Sequence, residues 1–226
     1  MEEFDIVRLG PDGSEATLPR FNIAPTDLIP AVVERPEGDE VVRSLVGLRW
    51  GLVPSWSTDA RGGARMINAR SETVATKPAF RKAFSARRCL LPAIGYYEWQ
   101  ARQLGGKTVK QPWFIRPASG ETMVMGGIYE FWKSPEGEWL TTASIITSQA
   151  TDAMGWVHDR MPVFVRREHW ADWLDPQLTD PAAAQSLWHV PNAADLDVYP
   201  VSHAVNRVGT NEPQLIDAVS GVERPE

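Results

Sequence analysis

Three residues stand in contexts suited to proton transfer and substrate orientation. Glu98 lies in Gly95-Tyr96-Tyr97-Glu98-Trp99, a strand-like run in which a carboxylate sits among three aromatic side chains. Turned inward, it would lose solvation, which disfavours the charged form and raises a carboxyl pKa towards neutrality, where the group can act as a general acid or base. Turned outward, it would be an ordinary solvated carboxylate. His158 precedes Asp159-Arg160-Met161-Pro162, where a polar stretch gives way to the apolar Val163-Phe164-Val165. An imidazole at such a junction can shuttle protons, because both of its forms are accessible near neutral pH. Asn68, in Met66-Ile67-Asn68-Ala69-Arg70, can donate and accept hydrogen bonds, which suits orienting a substrate or capping a turn. Arg70 beside it is a candidate phosphate partner. The other histidines, His169, His189 and His203, lack the spacing of a metal site, and no metal or other cofactor is expected.

These residues need a frame of strands. Ile29 to Val33 and Arg43 to Trp50 read as strands, as do Cys89 to Trp99, Trp113 to Arg116, Thr122 to Trp132 and Trp139 to Thr147. Gly-Gly and Pro-Glu-Gly turn signals between the later ones predict antiparallel sheet. Phe4 to Leu9 alternates weakly before Gly10-Pro11-Asp12-Gly13 and predicts a strand remnant or hairpin. Pro78 to Ser85 predicts a short amphipathic helix that buries Phe80 and Phe84, with Pro78 in its first turn. Glu168 to Leu174 and Pro181 to Trp188 have helical composition. The expected class is α+β, dominated by strands, in a single domain over residues 1–226.

Composition narrows the function classes. Hydrophobic residues make up 43% of the chain and charged ones 23%, values of a globular protein. No apolar stretch is long enough for a transmembrane helix, and the acidic start Met1-Glu2-Glu3 is unlike a secretory signal, so a cytoplasmic protein is expected. Cys89 alone cannot form an internal disulfide, and a small buried strand residue is its expected role. The net charge of −6 argues against a generally adhesive nucleic-acid binder. The distribution is uneven, however: between Arg61 and Arg88 eight basic residues face one acid, Glu72. Trp50 and Trp56 flank that run and could offer stacking faces beside a cationic groove, although Trp50 also suits the core.

Several segments form an ordered set: Asn22-Ile23-Ala24-Pro25-Thr26, Arg49-Trp50-Gly51-Leu52-Val53-Pro54-Ser55-Trp56, Ile67-Asn68-Ala69-Arg70-Ser71-Glu72-Thr73, Arg88-Cys89-Leu90-Leu91-Pro92, Gly95-Tyr96-Tyr97-Glu98-Trp99 and His158-Asp159-Arg160-Met161-Pro162-Val163. The set closely resembles the SRAP family, the SOS response-associated peptidases that process abasic sites, and the likeness is strongest over residues 20–213. The resemblance implies mostly antiparallel, mixed sheets in a barrel-like arrangement with a few short helices around a DNA groove. It implies single-stranded DNA containing abasic sites as partner, association with the nucleoid and no cofactor, and leaves the oligomeric state open. By the same resemblance Asn68 would position the substrate, Glu98 would act as acid or base, and His158 would assist proton transfer and sugar-ring opening. Trp56, Arg70 and Arg160, with Arg81 as an addition, would contact DNA.

The family reaction begins at a cysteine exposed by removal of the initiator methionine. Its α-amine, with an ordinary pKa of about 7.7 to 8.0, attacks the abasic-site aldehyde, and its thiol then closes a thiazolidine. The same cysteine is implied in peptidase-type self-processing. This sequence begins Met1-Glu2-Glu3-Phe4, without Met-Cys-Gly-Arg, and by the same resemblance is expected to lack the family's first strand. Retention of Asn68, Glu98 and His158 together favours an internal start, with the nucleophile encoded upstream of Met1. The alternative is a non-catalytic module that binds single-stranded DNA. A stop codon in frame before any upstream Met-Cys pair would sink the first expectation.

Overall fold

The computed structural model describes residues 2–150 and 155–224. Its strands are β1 (Arg8–Leu9), β2 (Leu28–Glu37), β3 (Glu40–Trp50), β4 (Asn68–Arg70), β5 (Arg88–Ala93), β6 (Tyr96–Leu104), β7 (Lys107–Pro117), β8 (Met123–Lys133), β9 (Trp139–Gln149), β10 (Arg160–Pro162), β11 (Phe164–Val165), β12 (Trp188–His189) and β13 (Leu196–Pro200). The helices are short: α1 (Gly13–Ala16), α2 (Arg81–Ala86), α3 (Trp170–Leu174) and α4 (Pro181–Gln185), with scattered 3-10 turns. Among the described residues no helix is long and apolar enough to cross a membrane.

Five strands close a barrel in the order β9, β3, β2, β5, β8, with β8 pairing back to β9. The β2–β3 and β8–β9 hairpins are antiparallel, as is β5 against β2 and β8. Closure comes from a short parallel pairing, Arg49 opposite Thr142 and Trp50 opposite Ala143. Strand β4 runs parallel to β9 beyond that point, with Asn68 opposite Ile145 and Arg70 opposite Thr147. A second sheet, β13-β7-β6, is antiparallel throughout. Single-domain α+β architecture of mostly antiparallel strands is what the sequence predicts.

Because strand side chains alternate between faces, neighbouring residues enter different apolar clusters. Val32, Leu45, Leu90 and Ile128 pack with Phe80, Phe84 and Trp173 from α2 and α3. Ile29, Ala31, Val46, Leu48, Cys89 and Leu91 pack with Trp113 and Ile115 from β7. The barrel is therefore covered by helices on one part of its wall and joined to the second sheet on another.

The predicted run Cys89 to Trp99 is two strands in different sheets. Gly95 lies between them, and a Cβ there would meet Phe114 Cζ at 2.4 Å and the Ile115 carbonyl oxygen at 2.6 Å. Only glycine lets the chain pass from one sheet to the other this close to β7. The amphipathic helix is present, with Arg81 and Phe84 amides bonded to the Lys77 and Phe80 carbonyls and Ala83 and Phe84 buried. The final helical prediction overran: α4 ends at Gln185, and Trp188 forms β12 against Val165. An aromatic residue that fills the space beside Phe84 and Trp173 overrode local propensity there.

Arg88 and Arg87 leave the basic run for structural roles. Arg88 is buried in β5, donating through Nε to the Trp173 carbonyl (2.7 Å), through Nη1 to those of Phe84 and Ser85 (each 2.9 Å), and through Nη2 to that of Asp175 (2.6 Å). It thus satisfies carbonyls at the ends of both α2 and α3, which have no partner within their helices. Burial lowers its pKa to about 10, leaving it cationic at neutral pH. Arg87 pairs with the buried Glu130 at 2.7 Å.

Candidate functional site

A groove of about 1990 Å³ runs along one side of the barrel, and Asn68, Arg70, Glu98, His158 and Arg160 all line it. They come from three parts of the frame. Asn68 and Arg70 project from β4, with the intervening Ala69 buried, as strand alternation requires. Glu98 sits on β6 directly opposite Trp113 of β7. His158 precedes β10, which is held against the end of β9.

Glu98 and His158 meet in a small pocket that opens to the groove, shared with Tyr96, Ile115, Val157, Arg160 and Met161. Burial raises the Glu98 pKa, and Asp159 pushes the same way; the nearby His158 and the Trp99 amide oppose the rise. Glu98 therefore adopts the inward alternative left open by the sequence, although its side chain still reaches the groove. The Arg160 amide donates to His158 Nδ1 at 3.1 Å, and Asp159 Oδ1 lies 3.3 Å from the same nitrogen. The Arg160 carbonyl also lies 3.3 Å from Nδ1, so this nitrogen faces one donor and two acceptors.

Tyr96 was not singled out by sequence, yet its buried hydroxyl has no hydrogen-bond partner and shares the Glu98 pocket. Burial, with Glu98 adding to it, raises the phenol pKa and keeps the hydroxyl a donor. The signal was available, since residues two apart on a strand share a face and Tyr96 precedes Glu98 by two.

The predicted DNA contacts divide into three groups. Arg70 is exposed in the groove with no side-chain partner among the described residues, and Arg65, from a 3-10 turn over Arg61–Arg65, joins it there. Arg160 also lines the groove, but its guanidinium is already engaged. Nη1 and Nη2 fork onto the Glu72 carboxylate at 2.7 and 3.0 Å, and Nη2 also donates to the Thr147 carbonyl. Bonding to Arg160 in turn holds the Glu72 carboxyl below the usual carboxylate range. Trp56 and Arg81 lie outside the groove lining: Trp56 is 67% exposed in a turn, and Arg81 is exposed at the start of α2. Trp50 is half-buried, its indole N–H bonded to the Ile67 carbonyl at 3.0 Å. Cys89 is fully buried, and burial pushes its thiol pKa far up. No group of three or more metal-ligating side chains occurs among the described residues.

Residues 2–208 match the family described as SOS response associated peptidase (SRAP). The chain belongs to the SRAP family. Among its relatives, the abasic site processing protein YoqW of Bacillus subtilis is 39% identical over 218 residues, covering 96% of this chain and 93% of that protein. The abasic site processing protein HMCES of Xenopus tropicalis is 28% identical, covering 91% of this chain and 68% of that protein. Among solved structures, a protein from Bacteroides thetaiotaomicron superposes with a TM-score of 0.73 at 26% identity, covering 86% of this chain and 82% of the other. A phage-related protein of Bordetella bronchiseptica gives 0.64 at 30% identity, covering 87% and 86%. The family match over residues 2–208 contains the positions of Asn68, Glu98 and His158.

Proposed function

We propose that this SRAP protein binds single-stranded DNA at abasic sites and processes them, with Asn68, Glu98 and His158 as the orienting and proton-transferring residues. The observation that carries this reading is the pairing of a half-buried carboxyl with an imidazole beside a groove edged by Arg65 and Arg70, cations with no side-chain partner among the described residues. Such cations draw in phosphates, whereas a reaction at an exposed aldehyde needs no base readout.

The chemistry suits these groups. An abasic deoxyribose is mostly a closed hemiacetal; opening it requires a base to take the anomeric hydroxyl proton and an acid to protonate the ring oxygen. Attack by an amine on the resulting aldehyde gives a carbinolamine, whose hydroxyl leaves as water when an acid protonates it, forming a Schiff base. Glu98 and His158 serve as the proton donor and acceptor in these steps, and the Asn68 amide orients the sugar. The amine, by family resemblance, is that of an N-terminal cysteine, whose thiol then adds to the C=N bond to close a covalent DNA–protein cross-link. Peptidase-type self-processing would use the same nucleophile. Cys89 has no free amine and cannot take this part, and its thiol is enclosed by the barrel wall.

Incubation with an abasic-site oligonucleotide followed by a denaturing gel tests the proposal. A retained band is expected from protein bearing the N-terminal cysteine. A native shift that weakens with salt, with no denaturing band even then, would leave only a binding module. Arg70→Ala is expected to weaken single-stranded DNA binding by about three- to tenfold and to reduce the slope of log affinity against log salt by about one. Fluorescence anisotropy at several salt concentrations measures both, and an unchanged slope would remove Arg70 from the phosphate contacts.

A further inference from the structure

The short segment ahead of His158 is anchored at Trp156 from three directions. The Trp156 ring meets that of Trp113 edge to face, with centroids 4.7 Å apart at 88°. Its carbonyl accepts from Gln100 Nε2 at 3.2 Å. The Arg224 guanidinium, near the C-terminus, lies over the same ring at 4.8 Å. Two of these anchors belong to the Glu98 neighbourhood. Trp113 is the residue directly opposite Glu98 on β7, and Gln100, buried, follows Glu98 by two on the same face of β6. Glu98, Trp113, Trp156 and His158 thus form a closed circuit in which the strand bearing the carboxyl also grips the segment bearing the imidazole.

We propose that Trp156 is a positioning residue: clamped by Trp113, Gln100 and Arg224, it fixes the spacing between Glu98 and His158. Its importance for catalysis rests on the proton-transfer roles proposed above; the clamp itself does not. Trp156 touches no substrate in this arrangement and acts through its neighbours. Both indole N–H groups of the pair are buried without a hydrogen-bond partner, so the contact is held by ring geometry and packing. The C-terminal segment thereby becomes part of the site, since Val222 packs into the same apolar cluster and Arg224 closes over the ring.

The test reads Glu98 without requiring turnover. Its side-chain carboxyl can be followed by carbon-13 NMR through a pH titration of the full chain. The charged and titratable groups facing it among the described residues are Tyr96 on its own strand, His158 and Asp159 on the clamped segment, and Arg160 on β10; from β7 the apolar Ile115 borders the pocket and Trp113 lies opposite in register. Trp156→Ala strips the packing from Trp113 opposite Glu98 and so increases solvation of the carboxyl, and the Glu98 midpoint is expected to fall by about one pH unit. Trp156→Phe keeps an edge-to-face ring and is expected to titrate close to the wild type. A folded Trp156→Ala protein whose Glu98 titrates as in the wild type would overturn the proposal. Should that variant fail to fold, Gln100→Leu and Arg224→Ala each release one anchor and are expected to shift the midpoint the same way by a smaller amount; no shift in either would overturn it. Wild-type protein that ignores abasic DNA would instead remove the proposed function and leave the titration result intact.

Discussion

Glu98→Gln is expected to slow processing of an abasic-site oligonucleotide by about a hundredfold or more while leaving DNA affinity within about twofold. Glutamine preserves the volume beside Trp113 and can still hydrogen bond, but it cannot exchange a proton. The loss should therefore appear in the rate of covalent product under saturating protein, measured by quenched time points on a denaturing gel. A wild-type rate in the variant would transfer the acid–base role elsewhere. Stability provides an independent check. Burial raises the folded-state pKa of Glu98 above its unfolded value, so its protonated form favours the fold. That contribution is complete below the unfolded pKa and is lost as pH rises through the folded value. Above that folded value the wild type holds a poorly solvated carboxylate that the variant lacks. Glu98→Gln should therefore gain in melting temperature relative to wild type as pH rises, with the difference shrinking below about pH 4.

Arg88→Ala is expected to cost about 3–5 kcal/mol of stability, a fall of about 10 °C in Tm for a chain of this size. The buried carbonyls of Trp173 and Phe84 lose this donor, as do the part-buried ones of Ser85 and Asp175, of which Asp175 keeps the Leu178 amide. Lysine can reach only some of them from one ammonium, so Arg88→Lys should recover less than half of the loss. Thermal unfolding measures the effect, and the salt slope of DNA binding separates it from a phosphate role. The slope should be unchanged in Arg88→Ala at temperatures where it is folded, whereas a reduced slope would mean that the side chain reaches DNA.

Arg88 and Arg70 mark where sequence could and could not be read. Both are arginines in one basic run, and composition gives no means to tell them apart. Register does: Arg88 lies opposite Ile128 in β5 and turns beneath α2 and α3, while Arg70 flanks the buried Ala69 and faces the groove. Glu98 was legible as one of two alternatives, because its aromatic neighbours implied burial only if it faced inward. Cys89 was legible as a buried strand residue from its apolar surroundings. Trp56 was less so, since an exposed tryptophan beside basic residues suits a groove wall but here stands outside the lining. The barrel strands followed from alternation and turn signals. The sheet change at Gly95 did not, because an apolar run reads the same whether its two halves share a sheet or part company. Trp156 could not be inferred at all, as its partners Trp113, Gln100 and Arg224 come from three distant segments.

The parallel closure of the barrel has a kinetic meaning. Hairpins β2–β3 and β8–β9 can form locally, but Arg49 and Trp50 meet Thr142 and Ala143 only after a long stretch of chain has folded back. Non-local pairing of this kind is slow, because loop entropy is lost before the contacts that reward it are made. Asn68 docks on β9 just beyond that junction, and His158 follows from the far end of the same strand. The Glu98–His158 pocket is thus expected to form late in folding, and a chain stalled with both hairpins formed would carry much of its strand structure without that pocket.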